Sequence, residues 1–584
     1  MWRQWGTRRP WEVDEEEKEI GEEDALSVNS QGGEIKLRRM DGRHVAFSVE
    51  DRKWSLSMRP LHRVLVTTLR GLSWLLLRFI RLLSVFSRDP PCPDPPLDPL
   101  LLIPATELAH KIRCKELQSS AVVQAYITRI RQVNPALNAV VCERFDEALR
   151  EARNVDELVS SGTEDEKTLR EKYPLLGVPF TVKEAFALQG MPQSSGLLSR
   201  RFVCAQSDAV VVSRIKKAGG IPLGVTNCSE LCMWYESSNK VYGKTRSPYN
   251  PQHIVGGSSG GEGCILGTAG SVIGVGSDIG GSIRMPAFFN GIYGHKPTAD
   301  IVPNDGQYPI DHGCRREFLC TGPMCRYAVD LIPLLKVMAG ESAGRLHLDR
   351  EVKLSNLRFF SMEHDGGSPF VSPMDKELVQ AQRRVVEHLE KELGVTVQQV
   401  SIYNLRYSFQ IWSAMMSQDG EKEQSFADLM GDGNSFWPFW ELLKWIFGVS
   451  KHTLPGIALA LTEKMTQWNV RGNEIMIKKA RSLRQEISTM LGDDGILIYP
   501  SHPKIAPRHH EPIAMPFNFA YTGIFNVLAL PVTQCPVGLS RDGLPLGIQL
   551  VASHYNDHLI LALAQYLEKT LVGWMPSGSN KGQN

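Results

Sequence analysis

The chain has 584 residues, 42% hydrophobic and 22% charged, which is ordinary globular usage for an enzyme-sized fold. Its formal net charge of +1 leaves no basic footprint and excludes nucleic acid as a partner. The eleven cysteines form no C-x-x-C pair, and Cys228 with Cys232 and Cys320 with Cys325 are spaced wrongly for zinc knuckles, so free thiols in a cytosol-facing enzyme are expected, with no metal and no cofactor.

Residues 1–57 carry an acidic run from Asp14 to Glu17 and no hydrophobic period able to build a core. That composition predicts disorder. The stretch reads equally as a tail or as an extension upstream of Met58, itself a candidate start.

Residues 58–88 turn apolar and basic, with RPLHRVLVTTLRGLSWLLLRFIRLLSVFSR from Arg59. The longest stretch without a basic residue, Gly71 to Leu77, falls well short of the roughly 20 residues a membrane span requires. Each Arg at the bilayer centre costs about 2.5–3.5 kcal/mol. On a helical wheel Arg63, Arg70, Arg81 and Arg88 lie within roughly 20 degrees of one line, with Arg78 about 60 degrees off it. The expectation is a helix lying in the plane of a membrane or lipid-droplet surface, its basic face toward anionic headgroups. A true anchor with snorkelling arginines is the alternative. No small-residue cleavage site follows, which argues against a secretory signal. The endoplasmic reticulum and lipid droplets are the expected locations.

Residues 89–104 open with DPPCPDPPLDP, predicted to be a stiff extended spacer. The catalytic fold is expected from 105 to 575. Glu107 to Val133 reads as one amphipathic helix, and 206–226 as helix, Gly219-Gly220 turn and the strand IPLGV. Asp375 to Leu393 is a predicted helix followed by a strand from Val395 to Val400. The alternation predicts a single α/β domain, a large mixed twisted β-sheet surrounded by α-helices.

Within that domain Lys183 ends an apparent buried strand in which Val178, Phe180 and Val182 alternate. An ammonium there is poorly solvated, which favours the neutral amine that serves as a general base. A strand-end lysine snorkelling to water is the plainer alternative. Ser258 stands in GGSSGG and Ser282 in SDIGGSIRMP, where glycine lets backbone amides converge on an anion. No Gly-Lys-Ser/Thr occurs in 256–294, so the block is no P-loop, and the dinucleotide pattern begun at Gly274-Val275-Gly276 breaks at Ile279. Gly256 to Gly260 formally satisfies the nucleophile elbow of lipases and esterases, with Ser258 attacking and His502, His509, His510, His554 or His558 as its base. An elbow needs a firm strand before it, and the loop Ser247 to His253 leaves only Ile254 and Val255 to form one. His509 and His510 are adjacent and make a poor metal pair. The sequon Asn227-Cys228-Ser229 follows the apolar Ile221 to Val225 and is expected inside the fold.

The blocks G-G-S-S-G-G-E-G and D-I-G-G-S-I-R-M-P, with G-V-P-F-T-V-K-E upstream, resemble the amidase signature hydrolases. The likeness runs from about Ala105 through Pro545-Leu-Gly-Ile-Gln549. It implies a Ser-Ser-Lys triad of Lys183, Ser258 and Ser282, with Ser258 in a cis peptide. Ser282 is then the nucleophile that forms an acyl-enzyme, and the backbone N–H groups of Ile279, Gly280, Gly281 and Ser282 bind the oxyanion. Neutral Lys183 draws a proton from Ser258, which draws one from Ser282, and the relay returns it to the departing nitrogen. Asp278 and Arg284 read as structural partners that shape the loop, and Thr226-Asn227 and Ser247-Pro-Tyr-Asn250 as scaffold.

From Asn227 through Pro297, with CSELCMWYESSNK and GHKP, the chain resembles the fatty-acid amide hydrolase branch of that family. Primary fatty amides and N-acylethanolamines are the substrates this implies. Amidotransferase subunits of soluble complexes are the alternative within the family, and the basic apolar segment argues against them. A membrane-tethered lipid carrier with a dead site is the alternative from another class, and the presence of all three triad residues argues against it. A homodimer is compatible with the sequence without being specified by it.

Between 405 and 465 aromatics crowd in, among them Trp412, Phe436, Trp437, Phe439, Trp440, Trp445 and Phe447. Trp437 and Trp440 are expected in a membrane-facing lip or an acyl channel, with core packing as the alternative. Phe519, with Phe517, Tyr521 and Ile524, is expected to line the same pocket.

Overall fold

The computed structural model describes residues 35–40, 43–48, 59–84, 89–310, 315–418, 424–467 and 470–578. It divides into two compact units, Met1–Phe86 and Ser87–Asn584.

In the smaller unit β1 (Ile35–Met40) and β2 (Arg43–Ser48) form an antiparallel hairpin that pairs Ile35 with Ser48. It falls inside the stretch predicted to be disordered. The Asp41-Gly42 pair between alternating runs is the hairpin signal that composition overrode. Helix α1 (Arg59–Ser84) follows, 26 residues long. Leu72, Trp74, Leu75, Phe79 and Leu82 are exposed on it, and the Arg78 guanidinium stacks over Trp74 at 4.8 Å. No helix among the described residues is long and apolar enough to cross a membrane. Of the predicted basic line, Arg88 and the side chains of Arg63 and Arg70 lie outside the described residues.

The larger unit is built on an 11-stranded mixed sheet. In chain order its strands are β3 (Val140–Glu143), β4 (Pro179–Lys183), β5 (Ile221–Thr226), then, after a small hairpin of β6 (Ser238–Asn239) and β7 (Gly243–Lys244), β8 (Ile273–Asp278), β9 (Tyr293–Lys296), β10 (Cys320–Cys325), β11 (Arg358–Ser361), β12 (Val397–Gln399), β13 (Gly495–Pro500), β14 (Val532–Leu539) and β15 (Pro545–Val551). Their order across the sheet is β12-β11-β13-β15-β14-β9-β10-β8-β4-β5-β3. The centre is antiparallel, whereas β11 with β12 and β13, and β4 with β5 and β8, run parallel. Every residue of β4, β5 and β8 is buried, as parallel strands covered on both faces by helices must be.

The helices that bear on the site are α2 (Gly260–Gly267), α3 (Arg284–Phe289), α4 (Ser408–Met416), α5 (Pro438–Ile446), α6 (Leu454–Gln467) and α7 (Ala520–Val527). Helix α2 approaches the sheet so closely that a Cβ on Gly274 of β8 would lie 1.9 Å from Glu262 Oε2.

Two local expectations shift. The helix predicted over Glu107 to Val133 is two, Ala105–Arg113 and Ser119–Leu137, separated by Lys115 at φ 63° and by Asp156, which accepts from the Ser119 and Ser120 amides. The proline-rich segment lies along the body instead of standing off as a spacer: Arg129 donates to Asp94 O at 2.7 Å and Cys92 to Tyr249 O at 3.3 Å. By contrast Asp375 caps a helix at Lys376–Leu393 as predicted, and β5 follows a helix at Val210–Lys217 and a Gly219 turn at φ +94°.

Candidate active site

Strand β4 delivers Lys183 from its C-terminal end, fully buried, between β5 and β8. Its Nζ donates to Ser258 Oγ at 2.7 Å and to Ser277 Oγ at 3.0 Å. Ser277 lies near the end of β8, one strand over, so the register of a parallel pair sets the lysine between two hydroxyls. The snorkelling alternative is thereby removed.

Ser258 enters through the glycine loop that precedes α2, after a cis Gly257–Ser258 peptide. A Cβ on Gly257 would sit 2.5 Å from Trp234 O, so only glycine fits there. Ser282 comes from the loop between β8 and α3. The two loops are tied by the Ser259 amide, which donates to Ser282 O at 3.2 Å, and by Ser259 Oγ, which donates to Ser277 O at 3.4 Å. Ser258 is fully buried while Ser282 retains 8% exposure. The described hydrogen bonds include none between the two serine hydroxyls.

The turn from Asp278 to Ser282 is held from outside. Trp412 Nε1 donates to Ile279 O at 3.1 Å and Thr522 Oγ1 to Gly280 O at 2.7 Å. A trans peptide points its N–H opposite its carbonyl, so fixing the Ile279 carbonyl also fixes the Gly280 N–H. Gly281 has φ +120°, and a Cβ there would meet Thr522 Oγ1 at 2.0 Å. Its N–H is donated to Asp278 Oδ1 at 2.7 Å. Of the four amides expected to cradle an oxyanion, Gly281 is therefore spent on the loop, and Ile279, Gly280 and Ser282 are the three with no described acceptor.

Asp278 and Arg284 are both fully buried and form an ion pair at 2.9 Å. Burial pushes the Asp278 carboxyl up, but Arg284 and then Asn526 outweigh it and hold the group well below the usual carboxylate range. Arg284 Nη1 also donates to Thr522 O and Gln549 Oε1, at 3.0 and 3.1 Å. These are the structural partners expected. Asn227 is likewise buried, donating to Gly243 O and Thr245 Oγ1 and accepting the Gly261 amide on its own carbonyl, so the sequon is inside.

Both serines line a largely apolar cavity of about 360 Å³ whose wall includes Ile279, Trp412, Phe517 and Phe519. Phe519 packs edge-on against Trp412 with ring centroids 4.8 Å apart. Tyr521 and Ile524 are instead buried in the core. Trp437 and Trp440 do not line the cavity and are 69% and 59% exposed, so neither the channel nor core packing describes them. No strand leads into Ser258, and none of His502, His509, His510, His554 or His558 lines the cavity, so the elbow has neither its strand nor its base.

Ser277, Trp412 and Thr522 carry this geometry without having been singled out as functional residues from sequence. Only Ser277 lay within a quoted motif. The other two arrive from 135 and more positions downstream: Trp412 stands out in the sequence only as one of the crowded aromatics between 405 and 465, and Thr522 has no local signal.

A profile of the Amidase family matches residues 121–561. Fatty-acid amide hydrolase 2 of Homo sapiens is 58% identical over 490 residues, covering 83% of this chain and 92% of the relative. Fatty-acid amide hydrolase 2-A of Danio rerio is 54% identical over 528 residues, covering 90% and 99%. Among solved structures, one titled fatty acid amide hydrolase superposes with a TM-score of 0.65 at 24% identity, over 81% of this chain and 85% of that one. With the profile spanning the strand that holds the lysine and both serine loops, and with relatives this similar along nearly their whole lengths, the chain belongs to the amidase family.

Proposed function

We propose that this amidase hydrolyses fatty-acid amides, primary amides and N-acylethanolamines, at a lipid surface through an acyl-enzyme on Ser282. The observation that carries the proposal is Lys183 bonded at 2.7 Å to Ser258, with Ser282 beside it in the wall of an apolar cavity. In the neutral amine the same contact lets Nζ take the Ser258 proton while Ser258 takes that of Ser282, whose oxygen attacks the amide carbon. The link between the two serines closes during acylation, as catalytic hydrogen bonds often do only in the complex. The tetrahedral oxyanion is held by the amides of Ile279, Gly280 and Ser282, each donor contributing about 3 to 4 kcal/mol. The relay then runs backwards and protonates the departing nitrogen, because an unprotonated amine leaves poorly. Water resolves the acyl-enzyme by the same groups.

Delivery rests on two apolar faces. The exposed Leu72, Trp74, Leu75, Phe79 and Leu82 of α1 suit a helix lying in a lipid surface. Helix α5 exposes Phe439 and Ile446, with Trp437 just before it and Trp440 within it, and packs against α6, whose Leu454, Ala458 and Leu459 line the cavity. A lipid bound at that lip would stand one helix away from the acyl-binding wall. Cytosol-facing membranes, the endoplasmic reticulum or lipid droplets, are the setting this favours.

The test is hydrolysis of oleamide, a long-chain N-acylethanolamine and a short aryl amide presented with lipid vesicles, by wild type and by Trp437→Glu/Trp440→Glu. Wild type should prefer the long chains. The double variant should lose at least about tenfold on them, the equivalent of about 1.4 kcal/mol of surface anchoring, and keep the aryl amide within about twofold. Equal long-chain turnover in the two proteins would sink the lip, and failure of wild type on every long-chain amide would sink the substrate assignment.

A further inference from the structure

The glutamate of the G-G-S-S-G-G-E-G block takes no part in the steps above, yet Glu262 is fully buried beside the base. It lies in the first turn of α2, and its two carboxyl oxygens accept from Thr181 Oγ1 at 2.8 Å and Thr226 Oγ1 at 2.9 Å. Thr181 stands two positions before Lys183 on β4, hence on the same face, and Thr226 is Lys183's partner in the β4–β5 register. One carboxyl therefore ties the lysine's strand, its neighbour and the helix that follows Ser258.

No cation is hydrogen-bonded to this carboxyl among the described residues. Keeping it ionised in such a place is costly. Burial pushes Glu262 up to about 8, against the hydroxyls of Thr181 and Thr226 and the charge of Lys183, which pull it down. Lys183 is thus the charged group that acts on it. Facing the lysine from the segment after β5 are the thiols of Cys228 and Cys232, the latter held low first by its hydrogen bond with Cys228 and then by the lysine's charge. The neighbouring Glu184 is engaged elsewhere, accepting from Ser194 Oγ at 2.7 Å and Tyr242 Oη at 2.9 Å.

We propose that Glu262 is a positioning residue for the base whose charge tunes the relay: it ionises within the pH range of the acid limb, and once ionised it attracts the ammonium of Lys183 and opposes release of the proton that frees the amine for Ser258. The proposal rests on Lys183 being the base. It requires no new bond, only that attraction between an ionised Glu262 and an ammonium opposes loss of the ammonium's proton.

The test is the pH profile of kcat/KM for oleamide in wild type and Glu262→Gln. Glutamine keeps the volume and the threonine contacts but cannot ionise. The acid limb should move to lower pH by about one unit and steepen to a single-proton step. A limb that stays in place, or moves up, overturns the proposal, even if the plateau falls, because a purely structural role would lower the plateau alone. Should Glu262→Gln fail to fold, Thr226→Val, isosteric on a strand, removes one donor to the ionised carboxyl and should move the limb the same way by less; an unmoved limb again overturns it. The shift should persist on a Cys232→Ser background, and its loss there would assign the limb to the thiol instead. Lys183→Met separates this from the reading beneath it. Turnover retained in Lys183→Met defeats the base assignment itself, whereas a dead Lys183→Met with an unmoved Glu262→Gln limb defeats only the role of Glu262.

Discussion

Ser282→Ala should lower kcat on long-chain amides by about 10⁴-fold or more, and Lys183→Met by a comparable factor, with the double variant little worse than either alone. The expectation follows from the geometry. In the proposed relay Lys183, bonded to Ser258, reaches Ser282 only through that hydroxyl, so the three groups would act as one unit and their losses would not add. What survives in each variant is the binding energy of the cavity and the three backbone donors of the turn, which remain in place because Trp412 and Thr522 hold the Ile279 and Gly280 carbonyls independently of the serine. Single-turnover kinetics with circular dichroism as a folding control would check it. A Ser282→Ala protein turning over within about tenfold of wild type would place the nucleophile elsewhere.

Asp278→Asn should destabilise the protein by about 3–5 kcal/mol, the cost of breaking a buried pair while leaving its cation in place. Asp278 is surrounded by donors: the amides of Gly281 and Ile283 at 2.7 and 3.1 Å, Arg284 Nε and Nη2 at 3.0 and 2.9 Å, and Asn526 Nδ2 at 2.9 Å. An asparagine turns one acceptor oxygen into another donor and strands Arg284, which is fully buried. The effect has a sign in pH. The Asp278 carboxyl titrates lower in the folded than in the unfolded protein, so its contribution is complete above the unfolded value of about 3.9 and is lost as pH falls toward the folded one. Wild type should thus exceed the variant fully at neutral pH, with the gap closing only in acid. Urea unfolding of both proteins at neutral and acidic pH reads it directly. Equal midpoints at neutral pH would show that the pair is not what holds the nucleophile turn.

The site was legible in sequence where chemistry sits in contiguous motifs, and illegible where it is assembled across the sheet. Lys183, Ser258 and Ser282 each stand in a distinctive block, and the alternation before Lys183 announced a buried strand end. Ser277 and Glu262 lay inside those same blocks, but a serine that becomes the lysine's second acceptor and a glutamate that meets Thr181 and Thr226 acquire their meaning only from strand register. The Gly281 amide shows a different limit: a glycine-rich turn signals converging N–H groups without revealing which of them Asp278 takes. Trp437 and Trp440 were dense enough to suggest a lip, a channel or core packing, and only their exposure in the fold removes the last two. In the fold, periodicity ran through Lys115 and merged two helices, because a single residue at positive φ leaves almost no mark on an amphipathic pattern. The hairpin at 35–48 was missed for the reverse reason, with acidic composition outweighing a short local turn signal.

The account stands most directly on which serine becomes acylated. Treating the full-length protein with a fluorophosphonate and mapping the adduct by peptide mass spectrometry should find it on Ser282, with labelling lost in Ser282→Ala and slowed in Lys183→Met. An adduct on Ser258 would contradict the assignment of nucleophile and relay together.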